Sequence, residues 1–187
     1  SELSLEGEPI LDNNNQYHFT KRRSGVILDE QGNDVLGAAL NVFGGGYGEE
    51  AEIWGSTAIN LKKGYSFQIF GGGEKGAIGR GTRNDQTNKL EYTYNAKYST
   101  TMTLHGEHKG VSKYQQRDDN MAECEYLYGG GFEGVVSGNT QVNLGDGRVY
   151  ESFGGSCNAN ILGHTETYVG MWRDKSGNTM TGFPWIS

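Results

Sequence analysis

The chain has 187 residues, a net charge of -7 and a hydrophobic fraction of 34%, which is the size of one domain with less apolar material than an ordinary globule carries. An acidic surface repels the phosphate backbone, so nucleic acid is excluded as a partner, and no apolar run approaches the ~20 residues of a membrane-spanning helix. Thirty-one glycines against two prolines stand at fixed places between β-branched and aromatic residues, which points to tight turns rather than disorder.

In chain order, residues 1–41 come before any repeat. Gly25-Val26-Ile27-Leu28 and Val35-Leu36 flank a polar turn, Asp29-Glu30-Gln31-Gly32-Asn33. This stretch is expected to be an N-terminal cap or a degenerate first coil. A repeat then begins. Val42-Phe43-Gly44-Gly45-Gly46 matches Ile69-Phe70-Gly71-Gly72-Gly73 and Leu127-Tyr128-Gly129-Gly130-Gly131, with Ser152-Phe153-Gly154-Gly155-Ser156 as a weaker fourth copy. A second signature follows each. Gly55-Ser56-Thr57-Ala58-Ile59-Asn60-Leu61 corresponds to Gly138-Asn139-Thr140-Gln141-Val142-Asn143-Leu144 and to Gly163-His164-Thr165-Glu166-Thr167-Tyr168-Val169. In the second unit it is delayed to Ser99-Thr100-Thr101-Met102-Thr103-Leu104.

The spacing agrees. Phe43 to Phe70 is 27 residues, Tyr128 to Phe153 is 25, and Phe70 to Tyr128 is 58. The second unit is thus interrupted, by insertions near 83–98 and 105–122. Leu61 to Phe70 and Leu144 to Phe153 are both nine residues.

Ala58-Ile59-Asn60-Leu61 and Gln141-Val142-Asn143-Leu144 alternate with period two, the mark of a strand with one buried face. Units this short cannot bury that face alone and must stack on their neighbours. The expected fold is therefore all-β, a short parallel β-helix or β-solenoid of about four coils over residues 42–170. Residues 171–187, with Met171-Trp172 and Phe183-Pro184-Trp185, would close its other end. Ile59, Met102, Val142 and Thr167 would form one column; Leu61, Leu104, Leu144 and Val169 a second. Phe43, Phe70, Tyr128 and Phe153 would form an aromatic stack, and Thr57, Thr100, Thr140 and Thr165 a hydroxyl ladder. The glycine triplets would sit where φ is positive or where coils approach closely. The competing arrangement is an antiparallel β-sandwich with glycine turns. A bare terminal strand also makes a dimer an option.

The (F/Y)GGG block followed by Gly-x-Thr-x-apolar-x-apolar resembles the glycine-rich repeats of large adhesin-like surface proteins of gut and oral bacteria. The resemblance covers about residues 42–170. It implies a secreted, cell-surface structural or adhesive module, whose partner is a glycan or a host or bacterial surface protein. It carries no catalytic residue onto this chain.

Signals for chemistry are sparse. His105-Gly106-Glu107-His108 lacks a third ligand and is not a zinc motif. Gly45-Gly46-Tyr47-Gly48-Glu49-Glu50 imitates a calcium-roll nonapeptide, but the other units do not keep its acid. No metal and no cofactor is expected. The two cysteines, Cys124 and Cys157, pair or stay free. Arg117, Asp118, Asp119, Glu123 and Glu125 form the densest charged group, the place to look for a polysaccharide-processing enzyme on a β-helix. The preferred reading is non-enzymatic. Its candidate binding residues are Tyr92, Tyr94 and Tyr98, on one face of an alternating strand over 91–97, together with Tyr114 in the second insertion; exposed aromatic faces receive sugar rings or protein surfaces, and the alternative, which the sequence favours, is that these tyrosines pack the insertion onto the flank of the repeats.

Overall fold

The structure, a computed structural model, describes residues 10–11, 17–18, 27–28, 34–35, 38–62, 64–105, 122–174, 176–182 and 184–186. These residues form strands and turns and contain no helix.

Two parallel sheets dominate. Ala38–Phe43, Gly64–Phe70, Ala122–Tyr128, Gly147–Phe153 and Pro184–Ile186 lie side by side in chain order. Thr57–Leu61, Thr100–Leu104, Thr140–Leu144 and Thr165–Val169 form the other sheet, again in chain order. Each pass of the chain gives one strand to each sheet. Parallel bridges Ile53↔Ile78↔Val136↔Ile161 link the passes along a third line. Among the described residues antiparallel pairing is confined to short strands, including Thr82–Arg83 with Leu90–Glu91 and Met171–Arg173 with Thr179–Thr181. The main sheets therefore differ from those of an antiparallel sandwich, whose strands return beside their sequence neighbours.

The register reproduces the repeat. Thr57, Thr100, Thr140 and Thr165 are rung partners; so are Ile59, Met102, Val142 and Thr167, and Leu61, Leu104, Leu144 and Val169. Alternation explains the burial of Thr100–Leu104, where positions 100, 102 and 104 are buried and 101 and 103 only half so. Met102, Leu104, Val142 and Leu144 meet Ile69, Ala122, Cys124, Leu127 and Val149 of the first sheet in one apolar core. Each Val, Leu, Ile or Met side chain in it contributes about 1.5–3 kcal/mol of burial free energy. Ile69 and Phe70 are both fully buried, although consecutive strand residues face opposite ways. Phe70 lies outside the core, stacked between Phe43 and Tyr128 at 4.9 Å each, and Tyr128 continues to Phe153 at 4.8 Å. These spacings match the ~4.8 Å between neighbouring strands.

The glycine triplets are required by close approach. None has a positive φ; among the described glycines that conformation occurs at Gly64, Gly147, Gly170 and Gly177. A Cβ on Gly44 would stand 2.2 Å from the Gly71 carbonyl oxygen, and one on Gly71 would stand 2.2 Å from that of Gly129. The same carbonyls accept from the threonine row. Thr57 Oγ1 donates to Gly71 O at 2.6 Å, Thr100 Oγ1 to Gly129 O and Thr140 Oγ1 to Gly154 O at 2.5 Å each.

After the last pass, the short hairpin of Met171–Arg173 and Thr179–Thr181 brings buried Trp172 onto Gly145, with its ring edge-on to His105 at 5.3 Å. The two cysteines are not bonded to each other. Cys124 is in the core and Cys157 is exposed. Burial, with Glu125 and Glu123 adding, pushes the Cys124 thiol up to about 12.

Two results are expected. Gly71→Ala forces a methyl against the backbone of the next pass and costs about 2–3 kcal/mol, whereas Gly155→Ala, with nothing within 4 Å, changes stability by less than about 0.5 kcal/mol; urea unfolding of the pair measures this. Iodoacetamide labels Cys157 in the native protein and Cys124 only after unfolding; rapid double labelling would contradict the buried position.

Candidate binding flank

The first insertion runs across the passes rather than along one of them. It opens with the Thr82–Arg83 and Leu90–Glu91 hairpin, whose turn is held by Asn84 Oδ1 accepting from the backbone N–H groups of Gln86 and Thr87. The strand ends at Glu91. The alternating strand expected over 91–97 does not form, because the backbone there pairs with successive passes instead of with a neighbouring strand. Asn95 N donates to Ser137 O at 2.9 Å, Ser56 Oγ to Lys97 O at 2.7 Å, and Gly138 N to Tyr98 O at 2.9 Å. The segment is a strap over the flank of the stack.

The three tyrosines consequently separate. Tyr92 lies against Gly79 and Gly81, where added Cβ atoms would meet its ring at 3.3 and 3.0 Å. Tyr94 reaches the last pass, where a Cβ on Gly163 would be 2.8 Å from its ring, and is 53% exposed. Tyr98 is half-buried, with Lys97 Nζ 5.9 Å from its ring centre. Tyr114 lies outside the described residues.

Beside Tyr92 stands a group that the repeat pattern did not single out. Ile53 is fixed by its bridge to Ile78, with Ile53 N donating to Ala77 O and Gly79 N donating to Ile53 O. Its neighbours Glu52 and Trp54 meet beside it. Glu52 accepts from Trp54 Nε1 at 2.8 Å, from Gly81 N at 2.7 Å, and from the Tyr92 hydroxyl. Arg80 lies over the Trp54 ring, 4.5 Å from its centre. Arg83 donates from Nη2 alone to both Glu50 carboxylate oxygens, at 2.8 and 2.9 Å, while its Nη1 donates to the Asn88 carbonyl. Trp54 is 58% exposed and Tyr47, a few residues before it, 77%. One sequence signal pointed here. The residues following the Ile53, Ile78, Val136 and Ile161 column are Trp54, Gly79, Ser137 and Leu162, and an indole has no counterpart among them.

The electrostatics suit holding rather than proton transfer. Partial burial acts to raise the Glu52 pKa, but the bonds from Trp54, Gly81 and Tyr92 and the charge of Arg80 outweigh it, so the carboxyl stays below its ordinary value. Burial first, then the bond to Glu52 and the charges of Glu52 and Glu50, push the Tyr92 phenol up. At neutral pH the pair is a fixed carboxylate and a fixed hydroxyl donor.

The other expected groups stand elsewhere. Arg117, Asp118 and Asp119 lie outside the described residues. Glu123 is buried, 3.7 Å from Arg148 Nη1. His105 Nδ1 is 3.5 Å from Asp146 Oδ2, while Glu107 and His108 lie outside the described residues. Glu50 of the calcium-like stretch is occupied by Arg83. Among the described residues no three metal-binding side chains gather. Compared with protein families, curated proteins and solved structures, the chain matches none.

The lowered Glu52 pKa gives a pH prediction. A carboxyl depressed in the folded state contributes stability above its unfolded pKa and loses it as pH falls through the folded one. The stability difference between the native protein and Glu52→Gln is therefore constant well above the ordinary value of 4.5 and shrinks below it. Urea midpoints from neutral pH downward measure it; parallel pH profiles would refute the role given to Glu52.

Proposed function

We propose that the chain is a parallel β-solenoid of four stacked coils that works on the outside of a bacterial cell as a non-enzymatic structural and adhesive module, binding glycan on the flank crossed by the strap. The in-register parallel sheets, with like residues in successive passes, support the solenoid. The observation that carries the binding reading is the flank itself. Trp54 and Tyr94 present exposed aromatic surface along it, and Glu52, Arg80 and Tyr92 hold polar groups beside Trp54.

That combination suits a sugar. The apolar face of a pyranose packs on an aromatic ring, and its hydroxyls need fixed donors and acceptors nearby. Glu52 already receives three protein donors, which leaves it poor as a general acid and good as an orienting anchor for Trp54 and Tyr92. Preorganisation matters because side chains already held in place lose little freedom on binding. The adhesive role and the surface location rest on the repeat's resemblance to adhesin-like proteins.

A glycan array followed by calorimetry tests this. The expected outcome is binding without turnover, weakened about tenfold or more by Trp54→Ala or Tyr94→Ala, equivalent to ~1.4 kcal/mol or more, with the thermal midpoint unchanged. Product release from an acidic polysaccharide that disappears in Asp118→Asn or Glu123→Gln would overturn the non-enzymatic reading. Capture of a surface protein on the same residues, with no glycan bound, would overturn the choice of ligand.

A further inference from the structure

The last pass is bare beyond its first three residues, where every earlier pass is covered. Thr165–Val169 is exposed at all five positions, although its rung partners Thr140, Val142 and Leu144 are buried. At the other end of the same sheet Thr57, Ile59 and Leu61 are half-buried. Of the eight exposed large apolar side chains among the described residues, five belong to this pass and the turn after it: Phe153, Leu162, Tyr168, Val169 and Met171. Phe153 stacks on Tyr128 and on no further ring among the described residues. The row of threonine hydroxyls reaches glycine carbonyls three times, and Thr165 has no such acceptor among the described residues. Gly155 has nothing within 4 Å, whereas Gly45, Gly72 and Gly130 each face a later pass.

The first three rungs above this pass are already laid. Pro184–Ile186 pairs in parallel with Gly147–Val149, in the register by which Ala122, Glu123 and Cys124 meet Gly64, Tyr65 and Ser66. The chain leaves the second sheet at Val169, makes the Met171–Thr181 excursion, and re-enters the first sheet one level up.

We infer that the surface formed by Tyr150–Phe153 and Thr165–Val169 is the seat for one more unit of the same repeat, running parallel and entered in continuation of Pro184–Ile186. This rests on the stacked-coil reading above. The occupant is defined by what the surface lacks: an aromatic ring over Phe153, a glycine carbonyl within reach of Thr165, a glycine over Gly155, and two apolar side chains over Thr167 and Val169. The first pass of a second copy has these features, in Phe43, Gly44, Gly45, Ile59 and Leu61, but does not fit in register. Its Ala38 and Ala39 belong over Arg148 and Val149, by the rungs Ala38↔Tyr65↔Glu123↔Arg148 and Ala39↔Ser66↔Cys124↔Val149, and Trp185 and Ile186 stand there.

The register specifies the test. Ile186 is opposite Val149, so a residue added directly after Ser187 is due opposite Glu151. A copy of residues 126–144 joined there places its tyrosine-glycine block over Phe153-Gly154-Gly155 and its threonine over Thr165, with no like charges on facing rungs. The extended chain is expected to melt several degrees higher than the unextended one, to protect its added segment from protease, and to bind less of a dye for exposed apolar surface. The decisive readout is Gly155→Ala. It is neutral in the unextended chain and lowers the midpoint of the extended chain, because only there does a backbone pass over it. An added segment that is digested freely, or a Gly155→Ala effect identical in both chains, would overturn the inference. So would an unextended chain that dimerises and is returned to monomer by Val169→Lys, since a second copy would then hold the seat. Failure of the stacked-coil reading is recognised separately, by Gly71→Ala having no cost in either chain.

Discussion

The structure depends on one short distance, the step between successive passes. At the strand spacing of ~4.8 Å, the carbonyl of Gly71 occupies the space that a side chain on Gly44 would need, and the carbonyl of Gly129 does the same to Gly71. Any larger residue there would prise the passes apart and break the ladder on both sides of it. The Thr57, Thr100 and Thr140 hydroxyls close the arrangement by donating to the carbonyls that crowd the glycines. The two sequence signatures are thus halves of one contact. Glycine lets the carbonyl approach, and threonine satisfies it.

Magnitudes separate the roles. A neutral hydrogen bond of this kind adds about 0.5–1.5 kcal/mol, less than the burial of a single Leu144 or Ile69 side chain at about 1.5–3 kcal/mol. The apolar columns therefore supply most of the cohesion, and the glycine–threonine contact fixes alignment. A one-residue slip would turn Met102 and Val142 to the opposite face and carry the glycines away from the carbonyls that need them. Burial accordingly follows position in the stack: Thr140–Leu144, with neighbours on both sides, is largely buried, while Thr165–Val169, with one neighbour, is exposed.

The columns were legible in the sequence because each unit repeats its apolar residues at a fixed offset, and parallel stacking converts equal offsets into rungs. Ile59, Met102, Val142 and Thr167 could be aligned before any geometry was known. The delayed signature of the second unit was legible for the same reason: Thr100–Leu104 enters the sheet in step despite the insertion before it. The strap was not legible. Glu91 to Lys97 alternates like a strand, but alternation records only a preference for one buried face and does not identify the partner. Here the partners are backbone groups of several passes, so Tyr92, Tyr94 and Tyr98 part company. Trp54 left only the faint trace of an indole that the other passes lack beside the Ile53, Ile78, Val136 and Ile161 column, and that column is itself not marked by the repeat motifs. The role of Trp54 comes from Glu52, Arg80 and Gly81, which meet only once the first two passes are stacked.

The strap also ties the candidate binding surface to the stack. Residues 92–98 touch Glu52 and Ser56 of the first pass, Gly79 and Gly81 of the second, Ser137 and Gly138 of the third, and Gly163 of the fourth. A loop anchored at its two ends alone would carry its aromatic rings on a flexible span and lose that freedom on binding. One anchored to each pass holds Tyr92 and Tyr94 as firmly as the passes hold one another. Their separation is then set by the same interstrand step that fixes the glycines.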